Sequence, residues 1–525
     1  DSDVVVVATD TEVSRYLINE ACLEAGTVAV YGGAYERAFA GEVVRVVPGS
    51  GGCYACVRQR TAGMIRSLSP QQAFDYTDDE GFQAEPGLGL DVAFIALLQA
   101  RVALMSLLRG TGSGVGDIDA QMVIWTNTAR PEDGKLFAEP MARYFEQTVR
   151  AKEDGKHLVA HTTQLPVEIF HAMDVVPFFI ETYCLFLNFF EDFQNFLEIA
   201  AEHGFPAEIC SVHRVTDAMV MTGAFPQADS FVFSNLVCDN TPKGGEGMAE
   251  LFHAPSYFLD RPYKLTPPHM AYWKEELEGL ITFLEEQTGR KMDMDRLQEI
   301  VQVSYRATEL CQEINKLRKA VPGPLPAEGL FAQAAVYWLL AGFPEAVSFF
   351  EDLRDELKER VDQGIGAVQE ERFRIIYPFV APFWDMELMD MAEQRYGAVT
   401  VMDLLGHWRG KGEWFLDPSD PLGNLAHKSS VFLGTFHFQG PLEEWVEDIV
   451  QMGREYRADG AIFFSHIGCR QGCAAIRAIK DDLQDQLSIP MAVIDCDLVD
   501  KAFTSRVEVL DKLDGFFEML EDQKG

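Results

Sequence analysis

The sequence predicts an α/β protein in which two doubly wound, parallel-sheet lobes are separated by a helical module and preceded by a smaller α/β segment. Three observations lead there. Short β-branched and aromatic runs alternate with helical stretches over residues 145–265 and again over 369–525. Between them, residues 266–368 carry apolar side chains at helical spacing, with many charge pairs four residues apart. Residues 1–140 have a strand–helix alternation of their own and end in the polar stretch Asn127–Lys135, which reads as a linker.

In chain order, the valine run within Val4–Thr9 reads as a buried strand and Thr11–Gly26 as a helix. Val28–Tyr31 and Val43–Val47 are further strands. Asp91–Leu108 has helical spacing, the Gly-rich loop Gly110–Gly116 follows, and Met122–Trp125 is a strand. In the second segment His157–His161, Val175–Ile180, Phe231–Val237 and Ser256–Leu259 are expected strands, with a helix over Pro166–Met173. One long helical stretch is expected over Pro268–Lys319 and more helix over Pro326–Asp362. Strands return at Arg374–Val380, Ala398–Met402, Gly460–Ser465 and Pro490–Ile494.

The 525 residues are 47% hydrophobic and 24% charged, which excludes a disordered or fibrous chain. Against 44 Lys and Arg stand 82 Asp and Glu, a net charge of −38. So acidic a surface repels phosphate backbones and anionic lipid, and neither nucleic acid nor a membrane is an expected partner. No run of about 18 uncharged apolar residues occurs, so no transmembrane helix is expected. The first residues, from Asp1, lack a basic n-region and a cleavage signal. A cytoplasmic chain beginning inside a longer gene product is the expectation.

Ten cysteines are too sparse for a disulfide framework, which moves metal and catalytic readings forward. In open parallel sheets, ligands bind beyond the carboxyl ends of the strands. Cys238, Cys469 and Cys496 each follow an expected strand, and Cys210 lies in the loop before the helical run Val212–Met221. Thiolates gathered at one edge select zinc or an iron–sulfur cluster. Structural zinc favours paired local CxxC turns, whereas these residues are far apart and come from two segments, which suits a cluster held between domains. The competing reading makes each a small buried hydrophobe at a strand end.

The surrounding residues supply a resemblance. "PAEICSVHRV", "ADSFVFSNLVCDNTPKGGEGMAELFHAPSYFLDRPY" and "DGAIFFSHIGCRQGCAAIRAIKDDLQDQLSIPMAVIDCDLVD" resemble the 2-hydroxyacyl-CoA dehydratase / benzoyl-CoA reductase family, supported by "GKHLVAHTTQLPVEIFHAMDVVPF". The likeness covers about residues 145–525. It implies Rossmann-like lobes over 145–265 and 369–525, a helical module over 266–368, and a [4Fe–4S] cluster on Cys210, Cys238 and Cys469 with one iron position open. It further implies an acyl-CoA substrate, a homologous second subunit and a separate ATP-hydrolysing iron–sulfur activator. The activator delivers one low-potential electron, the thioester becomes a ketyl radical, and hydroxide leaves. Related members reduce an aromatic ring instead.

Other residues near these motifs carry two readings each. Cys496 stands where the family's "DGD" turn has glycine and reads as a non-ligand. Cys473 is a substitute ligand or a packed helical thiol, and Cys184 and Cys311 read as core. Glu168 in "PVEIF" is a base, a substrate-orienting group, or a carboxylate facing a helix dipole. Arg470 neutralises the cluster or a CoA phosphate, or makes a surface ion pair. Lys243-Gly-Gly resembles an anion-binding turn before a helix. His407 and Trp384–Asp385 read as structural.

Residues 1–140 are similar to the ThiF/MoeB/HesA family, through "DSDVVVVATDTEVSRYLINEACLEAG", "AVYGGAYERAFAGEVVRVVPGSGGCYAC" and "EPGLGLDVAFIALLQARVAL". The likeness reaches only the later half of that fold, a partial ubiquitin-activating-type segment. It implies Asp10 as the Mg-ATP aspartate, Arg15 and Asn19 in the following helix motif, and Cys53 with Cys56 as the first half of a zinc site. The second CxxC and the phosphate-binding Gly-rich turn are absent from the sequence, so zinc there is incomplete and adenylylation is not expected. Dehydration of an acyl-CoA is the expected activity. Ring reduction, a ThiF-like adenylyltransferase or sulfur-carrier role, and a non-catalytic electron-transfer or scaffold role are its rivals.

Overall fold

The computed structural model describes residues 4–7, 12–34, 40–49, 53–54, 99, 103, 106 and 122–126, and then 144–162, 164–188, 193–385, 387–407, 417, 419–431, 438 and 440–524. The chain divides into two units, Asp1–Leu136 and Phe137–Gly525.

The first unit is a small mixed sheet. Strands β1 (Val4–Val7), β2 (Val28–Ala34), β3 (Ala40–Val46) and β4 (Met122–Thr126) pair in that order. The β1–β2 pair is parallel, and β2–β3 and β3–β4 are antiparallel. The parallel pair needs a crossover, which the helix Glu12–Ala25 supplies. Val7, Ala29, Tyr31, Val44, Val46 and Tyr54 form its core. Gln99, Ala103 and Ser106 are helical as their spacing predicts, while Asp10, Cys56 and the Gly110–Gly116 loop lie outside the described residues.

The second unit contains two parallel four-stranded sheets of like topology. The first joins β5 (Leu158–His161), β6 (Val176–Phe179), β7 (Ser230–Ser234) and β8 (Ser256–Leu259) in the order β6-β5-β7-β8. The second joins β9 (Phe373–Tyr377), β10 (Ala398–Asp403), β11 (Gly460–His466) and β12 (Met491–Cys496) in the order β10-β9-β11-β12. Both orders are 2-1-3-4, with the direction of winding reversing between strands one and three. The central strands β5, β7, β9 and β11 are buried along their length, which is why they read as unbroken apolar runs.

The helical stretch expected over Pro268–Lys319 is two helices, Pro267–Thr288 and Met294–Leu317. Gly289 ends the first at φ 69, and the Asp293 carboxylate caps the second by accepting from the backbone of Asp295 and Arg296. Pro326–Asp362 likewise splits into Ala327–Leu340 and Pro344–Gln363, broken at Gly342 with φ 91 and restarted by Pro344 at the helix start. These helices do not pack only on their sequence neighbours. Pro421–Val431, from the far side of β10, places Leu422, Leu425 and Ala426 in one core cluster with Val159 and Phe170 of the first lobe and Trp273, Leu277 and Tyr305 of the helices. The Trp273 indole donates to Ser429 at 2.8 Å and the Tyr305 hydroxyl to the Asn424 carbonyl at 2.8 Å, fixing that crossing. Among the described residues no helix is long and apolar enough to cross a membrane.

Candidate functional site

The structure places the three expected thiols on one cleft. Cys210, Cys238 and Cys469 all line one cleft of about 180 Å³ between the lobes. Each stands at the start of a helix. Cys210 is the N-cap of Ser211–Met221, Cys469 is the N-cap of Arg470–Leu487, and Cys238 lies just before Thr241–Phe252. Cys238 follows β7 and Cys469 follows β11, so the two sheets present equivalent positions beside their reversal points. Gly468 makes the close approach possible. A Cβ built there would sit 2.6 Å from the Cα of Cys210, so only glycine lets the two cysteine loops touch.

The electrostatics agree that the sulfurs are neighbours. Burial pushes the Cys210 thiol well up, and the Cys238 and Cys469 sulfurs add to it. Burial also raises Cys238, partly offset by a hydrogen bond from the Asn240 backbone. Cys469 is pushed up to about 12 by burial, then by Cys238, against a backbone hydrogen bond from Gly472. Three crowded thiols are thus poor thiolates when left alone, and a cationic group between them reverses that cost. Among the described residues no three His, Cys, Asp or Glu side chains are close enough to bind one metal ion jointly. A polynuclear cluster makes a different demand, because its cysteines bind separate irons. Three convergent thiols with helix N-termini behind them fit that donor set.

Two lobe-bridging contacts frame the thiols. The Ser211 hydroxyl donates to the Asp497 carboxylate, which also accepts from the backbone of Val499 and Asp500. Arg470 pairs with Asp239 at 2.5 Å, joining the residue after Cys469 to the residue after Cys238. Of the readings open to Arg470, this is the surface ion pair. His213, in the first turn of Ser211–Met221, places Nε2 3.6 Å from the Cys238 sulfur. Nothing in the sequence singles out either His213 or Asp239, because their partners are distant along the chain.

The remaining cysteines separate clearly. Cys496 sits at the end of β12, buried, with its sulfur 3.4 Å from His466 Nδ1. His466 Nε2 lies 2.8 Å from the Val380 carbonyl, an acceptor only, so Nε2 carries the proton and Nδ1 takes the Cys496 S–H. Burial lowers the His466 pKa to about 4, keeping the ring neutral. Cys473 is exposed and donates to the His466 carbonyl at 3.4 Å. Cys184 and Cys311 are buried in apolar packing, as expected. Lys243-Gly-Gly forms no anion-binding turn. It lies within the helix Thr241–Phe252, where a Cβ on Gly245 would collide with the Phe233 ring, so the glycine serves helix-on-strand packing.

Glu168 stands apart from the thiols. It opens the short helix Glu168–Ala172, is fully buried, and pairs with Lys428 while accepting from Ser304 at 2.5 Å. Lys428 also donates to Ser304 at 2.6 Å and lies 5.2 Å from the Tyr337 ring centroid. Burial raises the Glu168 pKa, but the Lys428 charge and the two hydrogen bonds outweigh it and hold the carboxyl below its usual range. This pair lines a smaller adjoining cavity of about 40 Å³, which shares Gln164 and Trp338 with the thiol cleft. Lys428 arrives on Pro421–Val431, and nothing in the sequence links it to Glu168.

In the first unit, Arg15 donates to the Gly32 carbonyl at 2.9 Å and to the Tyr54 hydroxyl at 3.2 Å, while Asn19 accepts from the Tyr54 backbone at 3.0 Å. These contacts fasten residues 53–54 to the first helix. Cys53 is partly buried, and Cys56 lies outside the described residues.

Paired sheets of repeated topology, joined over a cysteine-lined apolar cleft, define a two-lobed α/β protein with a candidate site between the lobes. The chain belongs to the family described as 2-hydroxyglutaryl-CoA dehydratase, D-component, whose pattern matches residues 162–520, and residues 1–129 match the ThiF family. It is 24% identical to a benzoyl-CoA reductase chain of Thauera aromatica, across 74% of this chain and 94% of that protein. It is 23% identical to the (R)-phenyllactyl-CoA dehydratase alpha subunit of Clostridium sporogenes, across 72% and 92%. The (R)-2-hydroxyisocaproyl-CoA dehydratase alpha subunit of Clostridioides difficile is 21% identical, across 75% and 97%.

Proposed function

We propose that the chain is the iron–sulfur subunit of a 2-hydroxyacyl-CoA dehydratase-type enzyme, with Cys210, Cys238 and Cys469 holding a [4Fe–4S] cluster. A homologous second subunit and a separate ATP-hydrolysing activator complete the system. The observation that carries the reading is the convergence of three thiols, drawn from two lobes, on one apolar cleft. Bound there, the cluster supplies one-electron reduction of an acyl-CoA thioester and Lewis-acid polarisation of its carbonyl.

The protein's own groups prepare the site. Helix N-termini behind the three sulfurs favour their anionic form. His213 Nε2 stands 3.6 Å from the Cys238 sulfur, within reach to donate to it once it is a thiolate. The walls of Phe179, Leu185, Trp338, Phe379 and Phe383 exclude water from a reactive substrate. Glu168 has a positioning role. Held ionised by Lys428, it lines the smaller cavity together with the Gln164 and Trp338 that the two cavities share. One observation favours ring reduction as the second reading: Phe379 and Phe438 make an edge-to-face aromatic corner in the cleft, with centroids 5.4 Å apart.

The test is anaerobic purification with iron and sulfide counting. Wild type is expected to carry roughly four of each per chain, and Cys210→Ala, Cys238→Ala and Cys469→Ala to lose most of both. Unchanged iron in all three variants overturns the ligand assignment, and loss confined to Cys473→Ala or Cys496→Ala moves it to those residues.

A further inference from the structure

The cleft also bears on which acyl group it takes. We infer that its acyl-binding end accepts an uncharged, apolar acyl chain and rejects a dicarboxylic one; this rests on the acyl-CoA reading above. The lining is mainly apolar and includes Phe179, Leu185, Trp338, Phe379, Phe383 and Leu498. Phe379 is not an isolated ring. It stacks on Phe463 at 5.0 Å and meets Phe438 edge-to-face, so the aromatic wall is braced from behind and cannot fold away to admit water.

Charge points the same way. Among the described residues the lining holds three carboxylates, Glu181, Asp239 and Asp497, and no Lys or Arg. Asp239 is bound to Arg470, and Asp497 to Ser211 and two backbone N–H groups, so these two charges are matched without a ligand. A second carboxylate on the acyl chain gives up its hydration to enter this space, and meets like charge there rather than a cation. The nearby cation beyond the shared wall, Lys428, is held by Glu168 and Ser304. Displacing Glu168 from it leaves a buried carboxylate unpaired, so Lys428 is a poor acceptor for the far end of a diacid. An aryl or branched chain, in contrast, replaces water against apolar wall at no such cost.

The discriminating experiment is calorimetric titration of the anaerobically purified full chain with 3-phenylpropanoyl-CoA, glutaryl-CoA and free CoA, none of which carries a 2-hydroxyl to eliminate. The expected result is binding of 3-phenylpropanoyl-CoA at least tenfold tighter than glutaryl-CoA. Leu185→Arg, which places a cation in the wall, is expected to narrow that ratio severalfold. A ratio below tenfold in wild type, with both thioesters binding, overturns the inference and leaves the acyl-CoA reading standing. Failure of all three to bind overturns the acyl-CoA reading as well, so the two failures are distinct.

Discussion

The two lobes of the second unit have the same sheet and unequal equipment. Each winds its strands 2-1-3-4, and each sets a cysteine between its third strand and the following helix, Cys238 in one and Cys469 in the other. The helix before the third strand starts with Cys210 in the first lobe and follows Pro441 in the second. Both of those helices bury an aspartate, Asp217 and Asp448. The fourth strand ends in Cys496 only in the second lobe, where His466 takes up the thiol. A repeated fold thus offers matched positions, and cysteines occupy them asymmetrically on the shared cleft, two from one lobe and one from the other. Topology supplies candidate positions, while side-chain partners decide which of them remain available to a ligand.

The comparison breaks most visibly where the lobes are tied together. Lys428→Met removes the cation that the second lobe lends to Glu168 of the first lobe, leaving a buried carboxylate unpaired; a loss of about 3–5 kcal/mol is expected in denaturant unfolding. Adding Glu168→Gln is expected to restore part of it. The same pair sets an acid dependence. Because the folded pKa of Glu168 is lowered, its contribution is present at neutral pH and is lost as pH falls through the ordinary carboxylate range toward the folded value. A Lys428→Met chain that keeps wild-type stability at pH 7 contradicts the pairing.

Gly468→Ala tests the contact between the two cysteine loops. The added Cβ meets the Cys210 backbone, so a cost of about 1–3 kcal/mol is expected, together with reduced iron content. Gly244→Ala, where the nearest atom lies 3.8 Å away, is the matched control in the first lobe and is expected to leave iron unchanged.

Asp217 sharpens the lobe comparison by pH. Burial pushes its pKa up to about 7, partly offset by His213. The folded state therefore holds the proton more tightly than the unfolded chain, and this group's contribution declines as pH rises from the ordinary carboxylate range to about 7. Asp217→Asn is expected to raise stability by about 1–2 kcal/mol at pH 8 and by nothing measurable at pH 4; thermal unfolding at the two pH values checks it. The smallest effect belongs to Arg470→Gln. Its pair with Asp239 is exposed on the arginine side, so a change under about 1 kcal/mol is expected, shrinking further at high salt.

Much of this architecture is legible in the linear pattern. The valine and phenylalanine runs of β5, β7, β9 and β11 announce buried parallel strands, because a strand covered on both faces has no polar side to show. Cys238 and Cys469 are recognisable as edge residues because each follows such a run. The helix breaks at Gly289 and Gly342 are also present as glycines, but apolar periodicity continues across them and conceals the change of direction. Lys243-Gly-Gly is ambiguous for a related reason. Glycine suits both an anion-binding turn and a tightly packed helix, and only the Phe233 ring behind Gly245 distinguishes them.

By itself, then, the sequence determined the local elements and which cysteines stand at strand and helix ends, since strand patterning and strand-end position are properties of neighbouring residues. The tertiary structure alone decided which groups share a space: that His213 faces Cys238, that His466 occupies Cys496, and that Lys428 crosses from beyond β10 to neutralise Glu168. Burial and pairing are energies between residues far apart along the chain, and a linear pattern carries no term for them.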